Sequence, residues 1–91
     1  YMSKIFKYTL DLNKFEQTLY IPFNSRVMKI SATPEDRLLE FWCKVHTYNE
    51  PEALKFLTVF TGQDHPDENW EYFTTVKDEH NIVYHLFCKF L

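Results

Sequence analysis

The stretch that decides the fold class is RLLEFWCKVH, which runs from Arg37 to His46. As a helix it would carry an apolar stripe at i, i+3, i+4 and i+7 spacing, made of Leu38, Phe41, Trp42 and Val45. As a strand it would alternate, with one face made of Leu39, Phe41, Cys43 and Val45. The two patterns are almost balanced. The preceding Thr33-Pro34-Glu35-Asp36 suits the first turn of a helix or the turn of a hairpin, and it favours the strand slightly.

The segments around this stretch have the alternation, or the aromatic and β-branched content, that is typical of strands. Polar turns separate them, and they are Lys4–Leu12, Phe15–Phe23, Arg26–Ala32, Leu54–Thr61, Trp70–Lys77 and Ile82–Leu91. This succession predicts a mainly β fold, an antiparallel sandwich or small barrel of about six to seven strands. At most one short helix is expected, near Thr33–Val45.

The individual strands lead to three further predictions. The first two strands should form a hairpin, and Arg26–Ala32 should form another with Arg37–His46. Leu54–Thr61 should be a central strand buried on both faces. Pro22 cannot donate to a sheet ladder, so it should end its strand or lie on a sheet edge.

The aromatic content and the last strand both indicate association. Aromatic residues make up 19% of the chain, and rings that the core does not take need another surface to cover them. Ile82–Leu91 is apolar on both faces and nearly uncharged, so on a sheet edge it would pair with a second copy. We therefore expect a homodimer or a higher homo-oligomer.

Length and charge narrow the class of protein. The 91 residues fit one small β domain, residues 2–91, with Met2 as the expected natural start after Tyr1. The net charge is −3, and the basic residues are scattered without a run, which argues against a nucleic-acid partner held by its phosphates. No apolar run approaches a membrane span and no signal segment is evident, so we expect no membrane contact. Cys43 and Cys88 form no CxxC or zinc motif, which favours reduced thiols in a cytoplasm, with a Cys43–Cys88 disulfide as the alternative.

Few residues are candidates for chemistry. The chain has no HExxH motif, no nucleophile elbow and no glycine-rich phosphate loop, so we expect no catalysis, no metal and no cofactor. His65 lies between Asp64 and Pro66, and His85 lies within an apolar strand. The commoner role of each imidazole is structural, fixing a turn or bordering the core. If a ligand or partner site exists, we expect it at His65, Asp64, His85, Trp70 and Tyr72, since Trp and Tyr dominate interface energetics.

Five short motifs, in order, resemble a family of small uncharacterised domains encoded by tailed bacteriophages. They are KIFKYTL near the start, Ile21-Pro22, FTGQDHP at Phe60–Pro66, WEYFTTV at Trp70–Val76 and VYHLF at Val83–Phe87. The family has an FGTGHP-like loop, a YIGTV-like strand and a VWHLFE-like closing strand. The resemblance implies a strand at Arg37–His46, a phage origin and no assigned activity, and His65 and His85 match its motif positions. Gln63-Asp64 and the apolar end from Cys88 depart from it, which puts a shared ligand in doubt.

These observations lead to three hypotheses of function. The first is a small phage accessory protein that binds a host protein in the host cytoplasm, with a role in host takeover or counter-defence. The second is an oligomeric binder, or sponge, of a small nucleotide signal. The third is a minor structural protein of the virion.

Overall fold

The computed structural model describes residues 3–33, 36–67 and 69–90, and the described residues form seven strands and no helix. The strands are β1 (Ser3–Asp11), β2 (Glu16–Pro22), β3 (Arg26–Thr33), β4 (Leu38–His46), β5 (Pro51–Phe60), β6 (Glu71–Lys77) and β7 (Val83–Phe90). They form two antiparallel sheets, ordered β1-β4-β3 and β2-β5-β7-β6. The predicted mainly β fold is confirmed, and of the two architectures expected, a sandwich or a small barrel, the structure is consistent with the sandwich. No helix long and apolar enough to cross a bilayer occurs in these ranges.

The ambiguous stretch is strand β4 because its alternating face fills the core. Leu39, Phe41, Cys43 and Val45 are all fully or almost fully buried. Phe41 is the centre of the packing: its ring stacks on Tyr8 at 5.5 Å and meets the edge of Phe73 at 5.1 Å. A helix would have grouped Leu38 and Trp42 with Phe41, whereas the strand turns both to the opposite face.

The two predicted hairpins have different outcomes. β3 and β4 are antiparallel neighbours, so the second hairpin is confirmed. The first is wrong, because β1 pairs with β4 and β2 pairs with β5. The Gln17 side-chain amide accepts a hydrogen bond from the Asp11 N–H at 3.0 Å and donates one to the Asp11 carbonyl at 2.9 Å. These bonds to a side chain replace the backbone pairs that a hairpin would form. The chain therefore crosses between sheets here, and Leu10 and Ile21 enter the same core from opposite sides.

Three predictions concern the positions of strands within the sheets. Pro22 is the last residue of β2, which is an edge strand, as predicted. β5 is central, with Phe56 buried on its inner face and Val59 on its outer face. β7 lies between β5 and β6, so it is not the free edge on which the expected pairing with a second copy depended. It is internal because the chain reverses at residues 78–82, so that β6 pairs with the side of β7 that does not pair with β5.

Asp78 organises the turn between β6 and β7. One carboxylate oxygen accepts hydrogen bonds from the backbone N–H groups of His80 and Ile82, at 2.8 and 2.9 Å, and the other accepts from the Tyr84 hydroxyl at 3.1 Å. Burial works against ionisation of this carboxyl, but the three donors together hold its pKa below the ordinary value. Asn81 supplies the left-handed residue of the turn, with φ of 65°.

Candidate functional site

The residues predicted from sequence lie around the outer face of β7. Tyr84 and Leu86 point into the core, so alternation turns His85, Phe87 and Lys89 to the opposite side. The loop between β5 and β6 lies against this face. The His65 ring meets Phe87 edge-on, with centroids 4.9 Å apart, and the Lys89 ammonium lies 4.6 Å from the Trp70 ring centroid. The fold thus brings His65, His85 and Trp70 to one strand.

His85 is held by hydroxyl groups of the neighbouring strand and loop. Its Nε2 lies 2.8 Å from Thr61 Oγ1, and its Nδ1 lies 3.1 Å from Thr75 Oγ1. Thr75 in turn lies 2.5 Å from the Tyr72 hydroxyl, and the Tyr72 ring packs on Phe87. Both ring nitrogens therefore lie within hydrogen-bond distance of neutral hydroxyl groups. The arrangement fixes the ring and links it to Tyr72.

His65 fixes its own loop. Its Nδ1 lies 2.6 Å from the carbonyl oxygen of Pro66, so this nitrogen donates and, in the neutral ring, Nε2 is left as the acceptor. The Nδ1 hydrogen bond therefore goes to a backbone carbonyl rather than to Asp64. The Asp64 side chain is exposed on the same loop. This geometry matches the turn-fixing role that a loop imidazole commonly has.

A cleft separates the loop from the sheet beside the two imidazoles. Its volume is about 230 Å³, and its lining consists of Val59, Phe60, Thr61, Gly62, Gln63, His65, His85 and Phe87. Among the described residues this lining includes no lysine or arginine to pair with the phosphates of a nucleotide. In the described part of the chain, no group of three or more His, Cys, Asp or Glu side chains is placed to hold a metal ion.

A second candidate, which the sequence did not indicate, is an opening between the sheets. It is defined by three exposed apolar side chains, Phe23, Val27 and Phe90, and is called the open end below; they are 54%, 42% and 61% exposed. Val27 lies opposite buried Cys43, and Phe90 lies opposite Leu54, so both belong to rows that face the core. Alternation predicts that these two side chains point inward, but only the packing of the sheets shows that no other described residue covers them.

A cavity of about 260 Å³ lies behind the open end. Its inner walls are apolar: Ile21, Phe41, Cys43, Leu54 and Phe73. Burial raises the pKa of the Cys43 thiol to about 11, so the thiol stays neutral near pH 7 and adds to the apolar wall. Both cysteines are free thiols.

The turn at the mouth of this cavity is held firmly by hydrogen bonds. The Ser25 hydroxyl donates to the Pro22 carbonyl at 2.6 Å, and the Asn49 amide donates to the Phe23 carbonyl at 2.7 Å. The Phe23 N–H donates to the Glu50 carbonyl at 3.0 Å. The mouth is therefore formed before anything binds, which lowers the entropy that binding would cost.

The chain was compared with protein families, curated proteins and solved structures. A family model described as a domain of unknown function (DUF7352) covers residues 2–90. No curated protein and no solved structure gives a significant match to the chain. The description of the family states no activity.

Proposed function

The chain belongs to a family of domains of unknown function (DUF7352), and from that premise we propose that it acts by binding another protein, without catalysis. The observation that supports this proposal is the open end. Val27 and Phe90 belong to core-facing rows but are exposed to solvent. Burying a large apolar side chain contributes roughly 1.5–3 kcal/mol, so a partner that covers the open end gains substantially.

The size of the cavity favours a side chain of a protein as its occupant. Pockets for free small molecules usually measure about 300–1,000 Å³, and this cavity is smaller, at about 260 Å³. It suits one large apolar side chain of a partner, anchored in a ready-made pocket as interface hot spots commonly are. The apolar walls would give a charged or strongly polar group no compensation for its lost hydration.

The same proposal includes a host protein as the partner and a phage accessory role in the host cytoplasm, for takeover or counter-defence. It is supported by the resemblance of the FTGQDHP, WEYFTTV and VYHLF segments to phage-encoded domains. The nucleotide sponge has weaker support, because the cleft lined by His65 and His85 is small and, among the described residues, its lining has no lysine or arginine. A role in the virion would be indicated by copurification with intact particles.

Self-association belongs to the proposal as well, with β1 as the edge that would carry it. β1 is an edge strand of nine residues, and its pairing with β4 has no register shift. The other long edges are interrupted, since β3 and β6 carry bulges and β2 ends in proline. We expect light scattering at tens of micromolar to give the mass of a dimer or larger assembly. A monomer mass would remove this part of the proposal.

The binding proposal is tested with two matched phenylalanines at opposite ends of the sandwich. Phe23 lies at the open end, and Phe15 lies at the other end and is similarly exposed, 54% against 64%. Tagged wild type, Phe23→Ser and Phe15→Ser would be used to capture partners from infected host lysate. We expect Phe23→Ser to lose a partner that wild type and Phe15→Ser both retain, with all three showing the same melting temperature.

Other outcomes of this test contradict the proposal. Retention of no host protein above background by wild type would do so. Equal retention by Phe23→Ser and wild type would exclude the open end. If His65→Ala or His85→Ala lost the partner while Phe23→Ser kept it, the binding site would be the outer face of β7.

A further inference from the structure

The outer face of the β1-β4-β3 sheet brings together basic side chains that are far apart in the sequence. Trp42 on β4 lies directly opposite Lys7 on β1 and Lys29 on β3. Two residues further along β4, on the same face, Lys44 lies opposite Arg26. The four basic side chains are exposed, and Trp42 is partly exposed among them. Strand pairing thus forms a basic face with an aromatic ring at its centre.

The positive charge of this face is largely uncompensated. Glu40 forms an ion pair with Lys7 at 2.8 Å. Across residues 3–33, 36–67 and 69–90, no carboxylate lies within ion-pair distance of Lys29, Lys44 or Arg26. The whole chain has a net charge of −3, so the charge of this face is opposite in sign to the net charge of the molecule.

Apolar side chains are interleaved with these charges. Ile5 lies opposite Lys44 on the β1 side and is 61% exposed. Ile5, Met28 and Lys44 line one shallow surface together with Ser3, Lys4 and Phe6. A ligand that matches this face therefore needs regularly placed negative charges and flat apolar groups close to them.

We propose that this face binds single-stranded nucleic acid, with phosphates at Lys29, Lys44 and Arg26 and bases packed on Trp42 and Ile5. Unpaired bases can stack on an aromatic ring, whereas a duplex presents mainly phosphates and keeps its bases stacked inside. The proposal goes beyond the protein partner of the open end and does not depend on it. The sequence argued against nucleic acid because its basic residues are scattered, but strand pairing gathers four of them on one face.

The first test measures binding and its dependence on salt. The probe is a fluorescein-labelled oligothymidylate of about 15 nucleotides, followed by anisotropy. We expect a Kd on the order of 10–100 µM near 0.1 M salt, and a slope of log K against log salt of about −2 for three phosphates.

The double variant Lys29→Gln, Lys44→Gln should bring the slope to about −0.7 and weaken binding at least roughly fivefold. Lys14→Gln, Lys77→Gln makes the same change of charge away from this face and should leave both values unchanged.

The second test asks whether bases contact Trp42. The chain has two tryptophans, so Trp70→Phe leaves Trp42 as the only one. Its fluorescence should be quenched when oligothymidylate binds, and Trp42→Phe, which keeps an aromatic ring in the sheet, should weaken binding. The proposal would be overturned if no binding were seen up to about 1 mM, or if the Lys29/Lys44 and Lys14/Lys77 double variants lost affinity equally. Three other results would also overturn the proposal. Tighter binding of duplex would indicate a duplex ligand, and competition by polyglutamate as effective as by oligonucleotide would indicate an acidic protein. Unquenched Trp42 fluorescence would indicate a purely ionic contact.

Discussion

The two ends of the sandwich are made from the same strands but are closed to different degrees. On the inner face of β7, Tyr84 is 3% exposed near the start of the strand, whereas Phe90 is 61% exposed at its end. At the start of β7 the Asp78 turn folds over the core and hydrogen-bonds to Tyr84. At the open end the turn holding Phe23 leaves a cavity between the sheets.

The difference shows that the inward pattern of a strand does not guarantee burial. A residue in a core-facing row is buried only if the opposite sheet, or a turn, extends far enough to cover it. The closed end has a polar turn in which the Asp78 carboxylate accepts three hydrogen bonds, which stabilises the fold. The open end exposes apolar side chains to solvent, and an exposed apolar patch is typical of a binding site.

The largest expected effect comes from two truncations on the inner face of β7. Leu86 is fully buried and Phe90 is mostly exposed. We expect Leu86→Ala to lower the free energy of unfolding by about 2–5 kcal/mol, because it leaves a cavity in the core. Phe90→Ala should cost less than about 1 kcal/mol, because little packing is lost. Urea unfolding followed by circular dichroism measures both, and equal costs would show that the two ends are equally closed.

The next effect concerns the turn of the closed end. Because the pKa of Asp78 is lowered in the folded state, its ionised form stabilises the fold above the ordinary carboxyl pKa. That contribution is lost as pH falls through the lowered pKa. We expect Asp78→Asn to reduce the melting temperature by about 5 °C at pH 7. The gap from wild type should narrow as the pH falls below about 4, and a gap independent of pH would argue against the ionised turn.

The smallest expected effect on stability comes from filling the open end. Val27 lines the cavity mouth, and Cys43 lies in the wall behind it. In a Cys88→Ser background, Val27→Phe should slow the reaction of Cys43 with a thiol reagent while changing the free energy of unfolding by less than about 1 kcal/mol. Since the Cys43 pKa is about 11, its reaction rate should rise about tenfold per pH unit between about pH 7.5 and 9.5. An unchanged rate in Val27→Phe would mean that the reagent does not enter by this mouth.

Much of the fold could be predicted from the sequence, because alternation and turn residues are local signals. They located six of the seven strands, and they placed Pro22 at the end of its strand or on a sheet edge. At β4 the helical and alternating patterns were almost balanced, and the resemblance to a known family favoured the strand. They failed at the link between β1 and β2. A short polar connection suits a hairpin, and the hydrogen bonds of Gln17 to Asp11 that replace one are not visible in a pattern.

Less of the candidate sites could be predicted. His65 and His85 were chosen by residue type and motif position, and the structure places both at one cleft on the outer face of β7. Trp70 lies on Lys89, and Tyr72 joins His85 through Thr75. Neither the open end nor the basic face around Trp42 was predicted, because each is made of residues from strands distant in the chain.

The sequence by itself determined which segments other than β4 are strands, and which side chains share a face once a segment is a strand. Both follow from the period of two that an extended backbone imposes, whatever its neighbours are. Only the tertiary structure decided that β4 and β7 are internal, that one end of the sandwich is open, and that Lys7, Lys29, Lys44 and Arg26 meet around Trp42. The physical reason is that strand pairing and register are fixed by contacts between distant residues, which the local pattern of a strand does not encode.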